Sequence, residues 1–303
     1  MKFSKGIGKM ENGKKTMLTA DFVLLLVAAI WGGGFVAGKL ALSGFSPLAI
    51  LFYRFCGAAV LLGILSFRKI HKMDFKLMRC GMVLGTFQFA GLLIQLIGLQ
   101  YTTPAKQSFL AASYVVFTPV LLWIISKIRP KNKELLAAIV ALCGIGFITL
   151  NRDLQIQAGD LITLVFALVF SVQIIMTGKY TRRYDAVVLT FYQFCFSGCL
   201  SIAAVLLTHT KLIHAINNGA AVAGVGYLLF INTALAICLQ NIAQRYAKPS
   251  HAALLLSMES VFGLLFSILV YGERVKGHVL FGCVLVLTAV FISKGVKASR
   301  STI

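Results

Sequence analysis

The chain has few charged residues and little proline. Asp, Glu, Lys and Arg make up 13% of its 303 residues and hydrophobic letters 59%, whereas a soluble domain averages about 25% charged residues. Four long stretches contain no charged residue at all, namely residues 80–105, 107–126, 186–210 and 212–244. Such runs argue against a soluble globule and are typical of membrane-spanning segments.

Motifs of several other protein classes are also missing. The seven cysteines are odd in number and form no CxxC pair, which argues against a disulfide framework or a zinc site. No HExxH or GxSxG sequence occurs. GGFVAGK at 33–39 satisfies the GxxxxGK phosphate-loop pattern, but Leu40 follows where a hydroxyl is required, within an apolar run. We therefore expect no metal site, no cofactor and no use of ATP.

Polar and Gly/Pro clusters divide the apolar runs into ten spans of roughly 20 residues, enough to cross about 30 Å of hydrocarbon. The runs are continuous, so they favour helices over the alternating segments of a β-barrel. The predicted fold is an all-α polytopic membrane protein. Its predicted spans are 20–42, 47–67, 76–98, 104–126, 134–150, 160–180, 186–207, 221–243, 249–271 and 277–294.

Basic residues alternate from loop to loop. With a cytoplasmic N-terminus, 22 of the 29 lysines and arginines fall on the inner side, as the positive-inside rule requires. The formal net charge of +20 then orients helices, and we expect no nucleic-acid partner. The bias predicts a multi-pass protein of the plasma (inner) membrane with cytoplasmic tails at 1–19 and 295–303, and with Arg152 outside.

The two halves of the chain repeat the same letters in the same order. FYRFC at 52–56 returns as FYQFC at 191–195, and three further matches keep offsets of 140 to 145 residues. Those matches are GK at 38–39 and 178–179, Tyr101 with Pro104 against Tyr246 with Pro249, and FI at 147–148 and 291–292. Five spans per copy predict two inverted repeats, 20–150 and 160–294, because an odd number of crossings reverses the second copy.

Both halves resemble the EamA-type transporters of the drug/metabolite transporter superfamily. MESVFGLLFSILVYGERVKGHVLFG at 258–282 is similar to the family's apolar "LEPVFA…GE…G" stretch, through Glu259, Gly272, Glu273 and Gly282. WGGGFVAGK from Trp31, YTTPAKQSFLAASYVVFTPVL from Tyr101 and RP at 129–130 are similar to segments of its first half. Ser260 replaces the family's usual proline, which removes the usual cause of a helix kink there.

The resemblance covers about 280 residues. It implies ten helices in two inverted five-helix repeats and a central cavity formed by the first four helices of each half. It also implies secondary export of a small metabolite, such as an amino acid or a drug-like solute.

Glu259 lies about ten residues into the ninth span, where an ionised carboxylate costs several kcal/mol unless it is paired or hydrated. It either binds a proton or a substrate amine, or it is a protonated acid that holds the fold by a hydrogen bond to a neighbouring helix. If the chain were instead a membrane-embedded enzyme acting on a lipid-soluble substrate, Glu259 would be its acid or base. A channel or receptor is a third interpretation.

Arg54 and Gln193 occupy the same place in the two copies. Arginine stays charged at ordinary pH, so Arg54 either reaches the outer interface or faces the cavity, where it pairs with Glu259 or with a substrate carboxylate. In the second case the cavity is cationic toward one side and merely polar toward the other.

The remaining candidates are polar or aromatic residues within or near spans. His251 and Lys106 each follow the repeated proline by two residues; His251 either senses protons, because imidazole titrates in the physiological range, or caps a helix end at the interface, as Lys106 does. Amides in spans either bind substrate or link helices; they are Gln88, Gln95, Gln173, Asn232 and Asn241. Aromatics either line a cavity or pack; they are Trp31, Phe35, Tyr53, Tyr114 and Tyr192.

We therefore predict a secondary active transporter for a small organic solute that works by alternating access, coupled to protons or a countersolute. The predicted cavity residues are Glu259, Arg54, Gln193, Trp31, Tyr114 and Asn232, and the predicted proton-coupling residues are Glu259 and His251. Its expected partners are the lipid bilayer and the solute.

Overall fold

The structure is a computed structural model that describes residues 2–70, 74–127, 129–149, 157–212, 217–272 and 277–294. Regular structure within these ranges is entirely helical. Ten helices follow one another: α1 (Lys2–Leu42), α2 (Pro47–Ile70), α3 (Phe75–Gln100), α4a (Pro104–Ala111) with α4b (Tyr114–Ser126), α5 (Asn132–Thr149), α6 (Ala158–Tyr180), α7 (Ala186–Leu207), α8 (Gly219–Gln244), α9a (Pro249–Leu256) with α9b (Glu259–Tyr271), and α10 (Gly277–Lys294).

Most of these helices have the length and composition of a membrane span. Eight helical segments of the described chain are long and apolar enough to cross a bilayer, and a ninth, Gly277–Ala289 of α10, is shorter. The 18-residue α5 completes the set. α1 begins at Lys2 rather than at residue 20, so the helix runs back into the segment predicted as a tail. The predicted tail 295–303, Arg152 and Glu273 lie outside the described residues.

Polar residues at the span ends determine where several helices start. The side chains of Asp74, Asp185 and Asn218 accept hydrogen bonds from the free backbone N–H groups at the starts of α3, α7 and α8. Pro104 and Pro249 stand in the first turns of α4a and α9a, where a missing N–H costs nothing.

Helix bounds repeat between the two halves of the chain. α3 and α8 start and end 144 residues apart, and α4a, α4b and α5 match α9a, α9b and α10 at an offset of 145. Even the left-handed residues that end α4b and α9b, Lys127 (φ 57°) and Gly272 (φ 61°), keep that offset. The duplication predicted from short letter matches therefore extends to the whole helical framework.

The packing shows the pseudo-two-fold relation between the repeats. α3 packs on α7 just as its counterpart α8 packs on α2, and α1 packs on α9b as α6 packs on α4b. α2–α7 and α5–α10 each join a helix to its own counterpart. Five helices per copy make the second copy cross in the opposite direction, so the chain is an inverted-repeat polytopic membrane protein.

Both α4 and α9 break in the middle, and neither break contains a proline. The regular α-helix is interrupted at Ala112–Ser113 and again at Ser257–Met258, where the backbone stays right-handed with ψ between −10° and −13°. The hydroxyls of Ser113 and Ser257 donate to backbone carbonyls three residues earlier, at 2.6 and 2.7 Å. The interruption in α9 is therefore present although Ser260 replaces the family's usual proline.

A π-helical segment, Tyr227–Leu235, interrupts α8. The hydroxyl of Thr233 donates to the carbonyl of Leu228, five residues earlier, at 2.6 Å. Such wide turns are frequent at functional sites because they re-aim side chains. Here the segment turns both Asn232 and Thr233 toward α2.

Two ends of the bundle are named below by their acidic residues. The Asp21 side is the end at which α9a starts and Asp21 of α1 lies. The Asp160 side is the end at which α4a and α6 start.

Candidate functional site

A cavity of about 510 Å³, counting its opening, lies between the two repeats. Helices α1, α2, α3, α6, α8 and α9b supply its wall. Along α3 the lining runs from Gln88 to Leu99, close to the end of that helix at Gln100, so the cavity occupies the half of the bundle toward the Asp160 side. Its lining residues are Trp31, Gly34, Phe35, Arg54, Gln88, Leu92, Gln95, Leu96, Leu99, Phe166, Phe170, Asn232, Ile237 and Glu259.

Arg54 lies in the cavity wall and is 2% exposed. Its Nε donates to Thr233 Oγ1 at 2.9 Å and its Nη2 donates to Asn232 Oδ1 at 2.7 Å. These bonds hold the guanidinium inside the bundle, so it does not extend to the outer interface. Nor does it pair with Glu259: no described carboxylate forms an ion pair with Arg54.

Glu259 is the first residue of α9b, directly after the helix break, and it is 3% exposed. Tyr114 begins α4b, 145 residues earlier, and lies close enough to Glu259 to interact with it. The tyrosine hydroxyl nevertheless makes no hydrogen bond of standard geometry. The two helix breaks thus bring a phenol and a carboxylic acid together, although only Glu259 lines the cavity.

Aromatic rings form one wall of the cavity. Trp31 packs edge-on against Phe170 with ring centroids 5.4 Å apart, and Phe166 stacks on Phe170 at the same distance. The indole Nε1 of Trp31 donates to the backbone carbonyl of Asn232 at 3.2 Å. Tyr114 packs behind this wall, against Phe170 at 5.3 Å.

Gln193 is fully buried and lies one residue behind the cavity. Its Nε2 donates to Gln88 Oε1 at 2.9 Å, and Gln88 lines the cavity and also accepts from Gln173. The Oε1 of Gln193 accepts from Asn241 Nδ2 at 2.9 Å. Gly85 permits this contact, because a Cβ there would lie 2.8 Å from the backbone oxygen of Gln193. Gln193 therefore reaches the cavity only through Gln88.

Two ion pairs occupy equivalent positions at opposite ends of the bundle. Lys106 of α4a contacts Asp160 of α6 at 2.8 Å, and His251 of α9a contacts Asp21 of α1 at 2.8 Å. Lys106 and His251 are 145 residues apart, and Asp21 and Asp160 are 139 apart. Each pair therefore joins the start of a broken helix to the first helix of the other repeat.

His251 lies at the end of the bundle rather than in the cavity, and it is joined to Asp21, so it is not a solvated helix cap. Lys106, too, forms a buried pair rather than capping a helix in water. Neither aspartate was among the residues predicted from the sequence. Extending the repeat alignment to Asp21 and Asp160 would have placed one acid opposite each basic residue.

Other functional candidates were also missed from the sequence. Phe166 and Phe170 resemble ordinary packing residues, and Thr233 depends on the π-helical turn, which no simple pattern predicts. Gln240 and Gln244 are fully buried amides of α8. The repeat alignment matches them with Gln95 and Leu99 of α3, and this match could have drawn attention to them. Of the predicted cavity residues, Glu259, Arg54, Trp31 and Asn232 line the cavity, whereas Gln193 and Tyr114 lie directly behind it.

Paired inverted repeats around a cavity with buried charged residues define this protein as a membrane transporter. Comparisons with known proteins give the family. The model of the EamA-like transporter family matches residues 18–150 and 157–294, one copy in each half. The chain belongs to this family.

Full-length relatives agree with this assignment. The chain is 35% identical over 290 residues to an uncharacterized transporter of Archaeoglobus fulgidus, covering 96% of this chain and 90% of the relative. It is 25% identical over 290 residues to the uncharacterized transporter YyaM of Bacillus subtilis, covering 91% and 93%. One crystal structure superposes with a TM-score of 0.66 at 14% identity, covering 92% of this chain and 96% of that one, which shows the shared fold.

Proposed function

We propose that this chain is a secondary active transporter that exports a small organic solute bearing both a negative and a positive group, such as an amino acid. The observation that carries the proposal is the buried Arg54, which lines the cavity without a carboxylate partner in the described chain. A buried charge of this kind is costly unless it is paired. A carboxylate of the solute is a suitable partner, bound from the cavity.

Glu259 complements Arg54 on the same cavity wall. It is the proposed partner for a solute ammonium group or for a proton that exchanges with the solute. The aromatic wall of Trp31, Phe166 and Phe170 offers an apolar surface to the rest of the solute.

Alternating access is the proposed mechanism. The two ion pairs occupy equivalent positions at opposite ends and are both formed in this conformation. In the proposed cycle, a rocking motion of one repeat against the other breaks one pair at a time. In this mechanism Lys106–Asp160 and His251–Asp21 are the two gates. His251 is the gate residue whose charge follows the proton concentration.

We propose that the Asp21 side faces the cytoplasm, with both termini there, in the plasma membrane; the charge bias of the loops supports this orientation. The α7–α8 loop begins at Thr208 on the Asp160 side. In a cysteine-free background, Thr210→Cys should react with an impermeant maleimide in intact cells. Reaction only after permeabilisation would reverse the orientation.

Transport itself is tested with purified protein in liposomes loaded with isotopically labelled amino acids and other small metabolites, without ATP. We expect saturable counterflow of at least one net-neutral solute. Efflux of this solute should be faster when the imposed proton gradient drives protons into the liposomes. Glu259→Gln keeps the shape of the side chain and should abolish the acceleration by protons while leaving the protein folded. Full proton-driven flux in this variant would remove Glu259 from coupling.

The same assay separates the other classes of function. A solute recovered with altered mass would instead indicate a membrane-embedded enzyme. A flux that does not saturate with concentration would indicate a channel.

A further inference from the structure

The C-terminal part of α8 buries three amides: Gln240, Asn241 and Gln244, each 0% exposed. Several of their polar atoms have no hydrogen-bond partner: both amide atoms of Gln240, Oδ1 of Asn241 and Oε1 of Gln244. Across from them on α6, Gln173 Oε1 and Thr177 Oγ1 are also unpaired. The Asp21 half of the bundle therefore holds a concentration of unsatisfied polar atoms.

Linking helices does not account for these amides. An interhelical hydrogen bond in a membrane protein contributes little to stability, and a buried polar group without a partner costs more than such a bond contributes. Gln244 makes a single long bond, from Nε2 to the carbonyl of Ile174 at 3.4 Å, and Gln240 makes none. An apolar side chain of similar size would stabilise this conformation better.

The internal repeat shows what these positions correspond to. IQLIGLQY at 94–101 aligns with LQNIAQRY at 239–246 at the 145-residue offset, so Gln240, Asn241 and Gln244 match Gln95, Leu96 and Leu99. All three residues of α3 line the cavity on the Asp160 side. In a transporter whose repeats exchange conformations, the amides of α8 become the matching wall on the Asp21 side.

We propose that Gln240, Asn241 and Gln244 form a second solute subsite, closed in this conformation, in the Asp21 half of the pathway. This inference rests on the proposed transport function. The subsite offers amide donors and acceptors and no charged group of its own, so its ligand is a net-neutral solute rich in hydrogen-bonding groups. Gln88, Gln193 and Asn241 form a continuous hydrogen-bonded chain between the cavity and this subsite.

The two subsites differ in chemistry, and this difference is part of the inference. The cavity offers Arg54 and an aromatic wall, whereas the closed subsite offers neutral amides where the first repeat has Leu96 and Leu99. A zwitterion bound through its charges in the cavity meets only dipoles in the closed half. The solute is therefore held less firmly on the Asp21 side.

Thiol accessibility tests the closed subsite without knowledge of the solute. Single cysteines are introduced into a cysteine-free background: Gln244→Cys, its repeat counterpart Leu99→Cys, and Ala141→Cys, a fully buried residue of the α5–α10 pair. An impermeant maleimide is applied from each face of oriented vesicles. Gln244→Cys should react only from the Asp21 side, and Leu99→Cys only from the Asp160 side.

The expected rate follows from the population of the open state. Minor conformations are commonly populated at about 0.1–10%, so Gln244→Cys should react about 10- to 1,000-fold more slowly than a fully exposed cysteine, yet faster than Ala141→Cys. A Gln244→Cys rate equal to that of Ala141→Cys would overturn the subsite. If Gln244→Cys is labelled from the Asp21 side but the wild-type protein moves no solute, the proposed transport function is wrong, whereas the opening of the Asp21 half is confirmed.

A second variant separates a subsite from helix packing. Gln244→Leu copies the residue of the other repeat and removes an unpaired amide oxygen. The subsite predicts weaker solute binding from the Asp21 side, seen as a higher half-saturation concentration for solute supplied there, and unchanged or higher thermal stability. Lower stability with unchanged transport per folded molecule would show that Gln244 only links helices.

Discussion

The two ends of the bundle close with the same geometry and different chemistry. On the Asp160 side, Lys106 contacts a carboxylate that is 0% exposed, whereas on the Asp21 side His251 and Asp21 are each 34% exposed. Lysine stays charged across the physiological range, and imidazole does not. The two equivalent positions of the repeat therefore carry a lysine at one end and a histidine at the other.

The same contrast appears in the middle of the bundle. Arg54 of the first copy bonds to Asn232 of α8, and Gln193 of the second copy bonds to Gln88 of α3. Each bond joins α2, or its counterpart α7, to an equivalent position of the opposite repeat, Asn232 in α8 or Gln88 in α3. Only one of them carries a charge, and this makes Arg54 of the first repeat the proposed partner of a charged solute group.

Arg54→Gln, which gives the first copy the residue of the second, should break this contrast most strongly. Removing one member of a buried charged contact costs about 2–5 kcal/mol, or at least about 30-fold in apparent solute affinity. The concentration dependence of counterflow in liposomes measures the loss. Arg54→Lys keeps the charge and should retain part of the affinity. Unchanged affinity in Arg54→Gln would exclude Arg54 from solute binding.

Lys106→Met should have the next largest effect. It leaves the buried carboxylate of Asp160 with only the backbone N–H of Gln157, at 3.0 Å. Breaking a buried pair in this way costs about 3–5 kcal/mol, toward the lower end here because Lys106 is partly exposed. Thermal unfolding in detergent should shift down by several degrees, while Lys106→Arg should stay near the wild type. An unchanged unfolding temperature would show that this pair does not hold the Asp160 side closed.

His251→Lys, which copies the first repeat, should have the smallest effect. A partly exposed ion pair contributes about 0.2–1 kcal/mol, so the permanently charged lysine should strengthen closure of the Asp21 side by at most about 1.5- to 5-fold. The reaction rate of Gln244→Cys reports this closure. An unchanged labelling rate would remove the His251–Asp21 pair as a gate.

Much of the fold was predictable because lipid imposes a simple rule on the sequence. Every backbone group in the hydrocarbon must bond internally, so long apolar runs give helices, and five spans per copy give the inversion. The breaks in α4 and α9 were not predicted, because neither contains a proline and Ser113 and Ser257 resemble the other serines of the apolar spans. The π-helical turn of α8 depends on tertiary contacts and leaves no simple pattern.

The candidate site was predicted in part. Glu259 and Arg54 stood out because charge within an apolar run is rare. The partner of Arg54 was not predictable, because it is set by the packing of α2 on α8. Asp21 and Asp160 were available to an extended repeat alignment, and they were missed because each lies at a span end, where acidic residues are common.

The reciprocal packing of the repeats has a consequence for biosynthesis. α1, α2 and α3 find many of their packing partners among α6 to α9, so the surfaces that cover them are translated last. Until the second half is made, Arg54 and Gln88 lack the hydrogen-bond partners that α8, α6 and α7 supply in the folded bundle. A ribosome pausing near residue 150 would expose an incomplete protein to membrane proteases, and membrane chaperones would be needed most during that interval.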